Sequence, residues 1–175
     1  MEKTSIISIR VYNDEKKILM EESQKNNMTV NSLGRQIISK YIEWHRYTKD
    51  MGYTSITKSL LQTLFKKEND ATIKIISILT HNTLKSTVLF MYGEFNLSNV
   101  LSVLDIWLGA CNISFRHFTD FHIEKYVITH NMGENFSRYL GMSLNSILNE
   151  VGHTTKNQIN DESHITFEIE RVSEK

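Results

Sequence analysis

The sequence predicts a mixed protein, α/β or α+β, in which a small strand–helix–helix unit precedes a domain of helices packed on a small sheet. Three observations support this fold class. Alternating apolar residues in TSIISIRVY predict one strand near the start of the chain. Apolar residues then recur at helical spacing as far as the NLSNVLSVLDIWLGACN segment. Further alternating stretches, ISFRHFTDFHIEKYVITHNMG and HITFEIERV, follow towards the C terminus.

The composition is typical of a folded globular protein. Hydrophobic residues make up 40% of the 175 residues and charged residues 23%. No apolar run is long enough to span a bilayer, and the first residues carry charges where a signal peptide has an apolar core. The single cysteine, Cys111, cannot form an intrachain disulfide. We therefore expect a cytoplasmic protein that does not bind membranes.

The first strand needs a partner. Ile7, Ile9 and Val11 alternate with Ser8 and Arg10, which predicts one apolar and one polar face. A lone strand leaves backbone N–H and C=O groups unpaired on both edges. It could join a sheet of the C-terminal domain or pair with the same strand of a second chain. The second solution is favoured, because a unit of about fifty residues is too small to form a robust core alone.

Two helices follow this strand. YNDEKKILMEESQKNNM is predicted as the first, with Asn13 or Asp14 as its N-cap. TVNSLGRQIISKYIEWHRYTKDMG is predicted as the second, with Thr29 as N-cap, and Gly52 marks the end of the unit. The predicted domains are residues 1–50 and residues 53–175.

The second domain is predicted to contain four helical segments and three strands. The helical segments are SITKSLLQTLFKK with Ser55 as its cap, DATIKIISILTHNTLK, NLSNVLSVLDIWLGACN and GENFSRYLGMSLNSILNEVG. STVLFMYG fits either a strand or a helix end. A hairpin is expected to turn near Thr119–Asp120, HTTKNQINDES is expected to be a polar loop, and HITFEIERV is the last strand.

Residues 4 to about 46 resemble the ribbon-helix-helix family, the Arc-, Met-repressor- and CopG-like DNA-binding proteins, in the form found in archaeal-type regulators. The resemblance depends on ISIRVYNDEKKIL followed by MTVNSLGRQIISKYIEW, with NNMT where many members have a glycine turn. It implies a homodimer whose two strands form an antiparallel ribbon in the DNA major groove. The implied dimer core consists of Ile7, Ile9, Val11, Leu33, Ile37 and Tyr41.

The same resemblance implies two sets of DNA contacts. Ile6, Ser8 and Arg10 would face the bases, where arginine can donate two hydrogen bonds to guanine and isoleucine can contact a thymine methyl group. The start of the second helix would hold a phosphate, because its free N–H groups and dipole favour anions. The implied phosphate contacts are Lys3, Tyr12, Thr29, Val30, Asn31 and Arg35.

No chemical signature stands out in the second domain. His117, His122 and His130 are spaced by five and eight residues, which matches no zinc motif, and the glycines form no phosphate-binding loop. We therefore expect no metal, no cofactor and no enzymatic activity. YVITHNMGENFSRYLGMSL weakly resembles the strand–turn–helix run of archaeal sensor or output domains. That resemblance implies an effector region at His130, Asn131, Glu134, Ser137 and Arg138. A simple helix cap, in which Asn131 or Gly133 makes the turn, is the favoured interpretation.

Together these patterns predict a sequence-specific transcription regulator with a C-terminal regulatory domain. Its expected partners are double-stranded DNA, further copies of itself in a homodimer or higher homo-oligomer, and an unknown small-molecule or protein effector. The alternative is an antitoxin-like or other protein-interaction module that uses the same N-terminal fold. Antitoxin partner segments are often short and unfolded when free, whereas about 120 residues of alternating helices and strands predict a packed domain.

Overall fold

A computed structural model describes residues 5–120 and 122–170, and the chain divides into two compact units, Met1–Arg46 and Tyr47–Lys175. In the first unit, helix α1 spans Asn13–Lys25 and helix α2 spans Val30–Lys40. The chain continues through a π-helical turn, Tyr41–His45, into the short helix α3, Arg46–Thr48. The predicted pair of helices is therefore present.

The N-terminal capping hydrogen bonds of α1 and α2 join residues that are three positions apart in the sequence. Thr29 precedes α2 as predicted, and its Oγ1 accepts a hydrogen bond from the Ser32 N–H at 3.1 Å. Helix α1 begins one residue earlier than predicted, because Tyr12 occupies the cap position and its N–H donates to Glu15 Oε2 at 2.8 Å. The helical turns after α2 stop at Thr48, earlier than predicted. Gly52, predicted to mark the end of the unit, adopts a positive φ of 71° that favours glycine.

The strand predicted before α1 does not form in the single chain. Residues 5–12 belong to no helix or strand. The physical reason is that a strand is stabilised by ladder hydrogen bonds to a neighbour, and this segment has no neighbouring strand among the described residues. A ribbon from this segment would require a second chain.

The second unit contains four of the helices. Helix α4 spans Lys58–Lys66, α5 spans Asp70–Tyr92, α6 spans Leu97–Ala110 and α7 spans Glu134–Glu150. Thr57, not Ser55, is the N-cap residue of α4. The ambiguous STVLFMYG segment is the end of α5, which stops at Gly93 with a φ of 75°. No helix among the described residues combines the length and apolar character needed to cross a membrane.

A four-stranded antiparallel sheet completes the second unit. Its strands are β1 (Ser114–Asp120), β2 (Ile123–Thr129), β3 (Thr155–Asn160) and β4 (His164–Glu170), in the order β1-β2-β4-β3. The predicted hairpin and last strand are present. The turn of the hairpin was predicted near Thr119–Asp120, but it follows Asp120, because these two residues still pair with Glu124 and Ile123. The predicted polar loop is wrong, because part of it forms the edge strand β3. The sequence of β3 shows little apolar alternation. Most of its residues are exposed at the edge of the sheet, and its hydrogen bonds to β4 hold it as a strand.

The core lies between the helices and one face of the sheet. The inner positions of β2 and β4 are buried, and they alternate with exposed or half-buried outer positions. Helix α6 packs on β1, α7 packs on β3 and β4, and α5 packs on α7. A methyl group at Gly141 of α7 would meet the amide end of the Gln158 side chain on β3, which would have to shift. The mixed α/β class is thus confirmed, with helices on one face of a small antiparallel sheet.

Candidate functional site

The residues expected to face DNA bases lie in the segment before α1. Ile6, Ser8 and Arg10 are all exposed, and 95% of Ile6 is accessible. Lys3, an expected phosphate contact, lies outside the described residues. The polar side chains of this segment are therefore available to a ligand.

The start of α2 brings together three of the expected phosphate contacts. Thr29 caps the helix, and Val30 and Asn31 form its exposed first turn. The first N–H groups of a helix lack partners within the helix, and the helix dipole favours anions at this end. Arg35 is exposed one turn further along α2, and Tyr12 is exposed at the start of α1. The expected phosphate contacts on α2 are therefore exposed, and one N–H of its first turn, that of Ser32, is already bonded to Thr29.

The expected dimer core is mostly uncovered in the single chain. Of the six residues, only Leu33 is buried. The exposed ones are Ile7, Ile9, Val11, Ile37 and Tyr41. These apolar side chains therefore lack the burial that would stabilise them in a finished core.

In the second unit, two residues of the expected effector region, His130 and Ser137, are buried and hydrogen-bonded to each other. His130 Nδ1 accepts the Met132 N–H at 2.9 Å, so the ring proton lies on Nε2, which donates to Ser137 Oγ at 2.7 Å. Ser137 Oγ in turn donates to the carbonyl of Asp161. Only 1% of His130 is exposed, and burial lowers the pKa of His130 to about 4.

This arrangement holds turns together and does not activate a nucleophile. The ring of His130 donates to the serine oxygen, whereas a general base would have to accept its proton. The His130 N–H also donates to the Ser163 carbonyl at 2.9 Å, which ties the end of β2 to the turn between β3 and β4. The histidine and serine are thus structural polar residues.

The other three residues of the expected effector region, Asn131, Glu134 and Arg138, do not join this hydrogen-bonded group. The Asn131 carbonyl accepts a hydrogen bond from Gln62 Nε2 at 2.6 Å, and Arg138 Nη2 lies 2.8 Å from Asp70 Oδ1. Glu134 lines an open cavity of about 650 Å³. Its remaining lining residues are Gln62, Thr63, Lys66, Met132, Gly133, Asn135 and Glu162.

A polar cluster that the sequence did not reveal lies on the inner face of the sheet. His117 Nδ1 is 2.8 Å from Asp105 Oδ2, and His117 Nε2 is 2.8 Å from Glu124 Oε2. Thr119 Oγ1 donates to the same Glu124 oxygen at 2.7 Å, and the Tyr126 hydroxyl donates to Asp105 Oδ1 at 2.8 Å. The cluster links α6 to β1 and β2.

The hydrogen bonds of this cluster hold α6 against β1 and β2. Burial, followed by the nearby Asp105 carboxylate, raises the pKa of the Tyr126 hydroxyl, which therefore remains a hydrogen-bond donor. The sequence signal was a charged residue, Glu124, at an inward position of an alternating strand. Across residues 5–120 and 122–170, no group of three or more His, Cys, Asp or Glu residues could hold a metal ion.

No protein-family model, curated protein or solved structure matches the chain. Its function is therefore inferred from its own residues.

Proposed function

We propose that this protein is a cytoplasmic, sequence-specific DNA-binding transcription regulator that acts as a homodimer. In the dimer, residues 5–11 of two chains pair as an antiparallel ribbon of the ribbon-helix-helix type. The polar face of the ribbon enters the major groove, and the second unit serves as the regulatory domain.

The observation that carries the proposal is the exposure of apolar side chains in the first unit. Within residues 5–46, only Leu33 and Trp44 are buried large hydrophobic residues, whereas twelve are exposed. Those twelve are Ile6, Ile7, Ile9, Val11, Tyr12, Ile18, Met20, Val30, Ile37, Ile38, Tyr41 and Ile42. Exposed apolar side chains in this number are typical of a unit that another chain partly covers.

The alternation along residues 6–11 supports DNA as the ligand of the opposite face. If Ile7, Ile9 and Val11 are covered in a ribbon, Ser8 and Arg10 lie on the other face, because successive side chains alternate across a strand. A two-stranded ribbon fits the major groove, and arginine is well suited to guanine O6 and N7. The exposed start of α2 would fix the register by binding a phosphate.

The second unit favours a regulator over an antitoxin-like module. The second unit contains a buried core of its own, in which α6 and α7 cover the sheet and α5 packs on these two helices. A segment that folds only on binding its toxin has no such core in the free chain. The second unit can therefore act as a stable domain beside the DNA-binding unit.

The test is selection of duplexes from a randomised DNA library by the full-length protein, followed by anisotropy titrations of the selected duplex and a scrambled one. For Arg10→Ala we expect affinity for the selected duplex to fall by ~1–3 kcal/mol for each arginine–base interaction that the substitution removes. Binding to the scrambled duplex should change much less. The free energy of unfolding should shift by less than about 0.5 kcal/mol, because Arg10 is exposed.

Lys17→Ala is the matched control, because Lys17 is an exposed cation on α1 outside the expected contacts. It should leave the preference for the selected duplex unchanged. Failure to enrich any duplex, or equal affinity of wild type and Arg10→Ala for the selected one, would contradict the proposed readout.

A further inference from the structure

The two edges of the four-stranded sheet are built differently. Strand β3 forms one edge, and its pairing with β4 shifts register between Lys156 and Ile159. Asn157 within that shift has a positive φ of 50°. Such irregularities and an edge lysine are devices that prevent another strand from pairing with a sheet edge.

Strand β1 forms the opposite edge and has neither a register shift nor a lysine. Its seven residues pair with β2 in one continuous register, from Ser114 opposite Thr129 to Asp120 opposite Ile123. It contains no proline, no lysine and no positive φ. A regular edge strand of this length is a ready template for one more antiparallel strand.

The outer face of β1 carries three exposed side chains in a row. Arg116, Phe118 and Asp120 alternate with inward residues, and half of Phe118 is accessible. Within the part of the chain that the structure describes, neither Arg116 nor Asp120 forms an ion pair. A cation, an aromatic ring and an anion thus stand at equal spacing along a free edge.

That order is complementary to itself. If two copies of β1 pair antiparallel with Phe118 opposite Phe118, then Arg116 of each chain stands opposite Asp120 of the other. Both ion pairs and the aromatic pair lie on the same face, because positions 116, 118 and 120 share one side of the strand. A shift by two residues would place Arg116 opposite Phe118 and remove both ion pairs.

We propose that β1 pairs with β1 of a second copy of this chain and joins the two sheets into one eight-stranded sheet. The interface is isologous, since each chain contributes the same residues to it. Cross-strand contacts between opposite charges and between aromatic rings are those that stabilise antiparallel pairs. A second copy is the expected partner, because Arg116 and Asp120 lie at equal distances on either side of Phe118 and carry opposite charges.

The test is cross-linking of full-length protein through a cysteine placed at the self-opposed position. Phe118→Cys is made together with Cys111→Ser, because the native Cys111 is exposed. With a short bismaleimide we expect a several-fold higher covalent dimer fraction than for Ile159→Cys in the same background. Ile159 is a matched control, because it is an exposed apolar residue on the other edge of the sheet.

Charge exchange then tests the register. Adding Arg116→Asp to the Phe118→Cys protein should reduce the covalent dimer several-fold, because two pairs of carboxylates would face one another. Adding Asp120→Arg as well should restore it, since both ion pairs return in reversed order. A variant that merely disturbed the fold would not be rescued by the second substitution.

The proposal is overturned if position 118 cross-links no more than position 159, or if the exchange fails to restore the dimer. The first result would mean that the edge is free or receives a different peptide. Neither result bears on the proposed function, because the ribbon and its DNA binding involve residues 5–46. Conversely, a protein that binds no DNA can still cross-link through β1.

Discussion

The two units of the chain differ in how much of their apolar surface they bury. In the second unit, the inner residues of β2 and β4 are covered by helices, and a continuous core runs from Phe65 to Ile169. In the first unit, most large apolar residues remain exposed, and the segment before α1 forms no strand. The second unit thus buries a core of its own, whereas the first leaves most of its large apolar side chains exposed in the single chain.

The difference shows how chain length limits a fold. A unit of about fifty residues has too much surface relative to its volume to bury a core, and association with another copy is a common remedy. The second unit is more than twice as long and closes its core with its own helices. The comparison can be tested at one residue in each unit and by one change of pH.

The largest effect is expected from Ile9→Lys. In the proposed dimer Ile9 lies under the ribbon, so the substitution would leave an unpaired charge in an apolar interface, at a cost of about 3–5 kcal/mol per chain. In a protein that also carries Arg116→Asp, which removes the proposed β1 pairing, sedimentation equilibrium should then show a monomer, and anisotropy titrations should show loss of DNA binding. Ile6→Lys is the control, because Ile6 belongs to the opposite face and should leave the dimer intact. Equal behaviour of the two variants would contradict the assigned faces of the strand.

The next largest effect is expected from Ile165→Ala in β4. Ile165 is fully buried, so truncation should lower the free energy of unfolding by ~2–5 kcal/mol through reduced burial and a residual cavity. Ile159→Ala in the neighbouring strand should cost less than about 0.5 kcal/mol, because 65% of Ile159 is exposed. Urea unfolding followed by circular dichroism measures both. A similar loss for both isoleucines would mean that the outer face of the sheet is covered.

A smaller effect is expected from the titration of His130. Burial lowers its folded pKa to about 4 from an ordinary value of 6.5, so the unfolded chain binds a proton at a higher pH than the folded chain. Stability should therefore fall as the pH is lowered from about 6.5 to about 4, by up to ~3 kcal/mol. Urea unfolding at a series of pH values measures this slope.

His130→Asn removes that titration and supplies the control. The variant should be less stable at neutral pH, but its stability should depend less on pH between 4 and 6.5 than that of the wild type. The other histidines remain in both proteins, so the difference between the two slopes belongs to His130. Identical slopes would mean that His130 is protonated as readily in the folded chain as in the unfolded one.

Several elements could be predicted from the sequence because their signals are local. The helices α5 to α7 follow from apolar residues at helical spacing, and the cap at Thr29 follows from its side-chain chemistry. The hairpin and the last strand follow from alternation. The sequence indicated His130 and Ser137 as residues of interest. It did not predict that both are buried, or that His130 donates its hydrogen bond to Ser137.

Other features could not be predicted because they depend on distant neighbours. Strand β3 has a polar sequence and is a strand because β4 provides its ladder. The cluster of Asp105, His117 and Glu124 exists because α6 crosses the hairpin, which no spacing along the chain indicates. Conversely, residues 5–11 have strand patterning without a strand, since the single chain offers them no partner.

By itself, the sequence determined which segments are helical, where several of them begin and end, and which residues of the first segment alternate, because caps and periodicity act over a few residues. Tertiary structure alone decided which strands are neighbours, that the sheet has one regular and one irregular edge, and which polar residues are buried together. These outcomes depend on hydrogen bonds and packing between segments far apart in the chain, and those contacts form only when the whole unit folds.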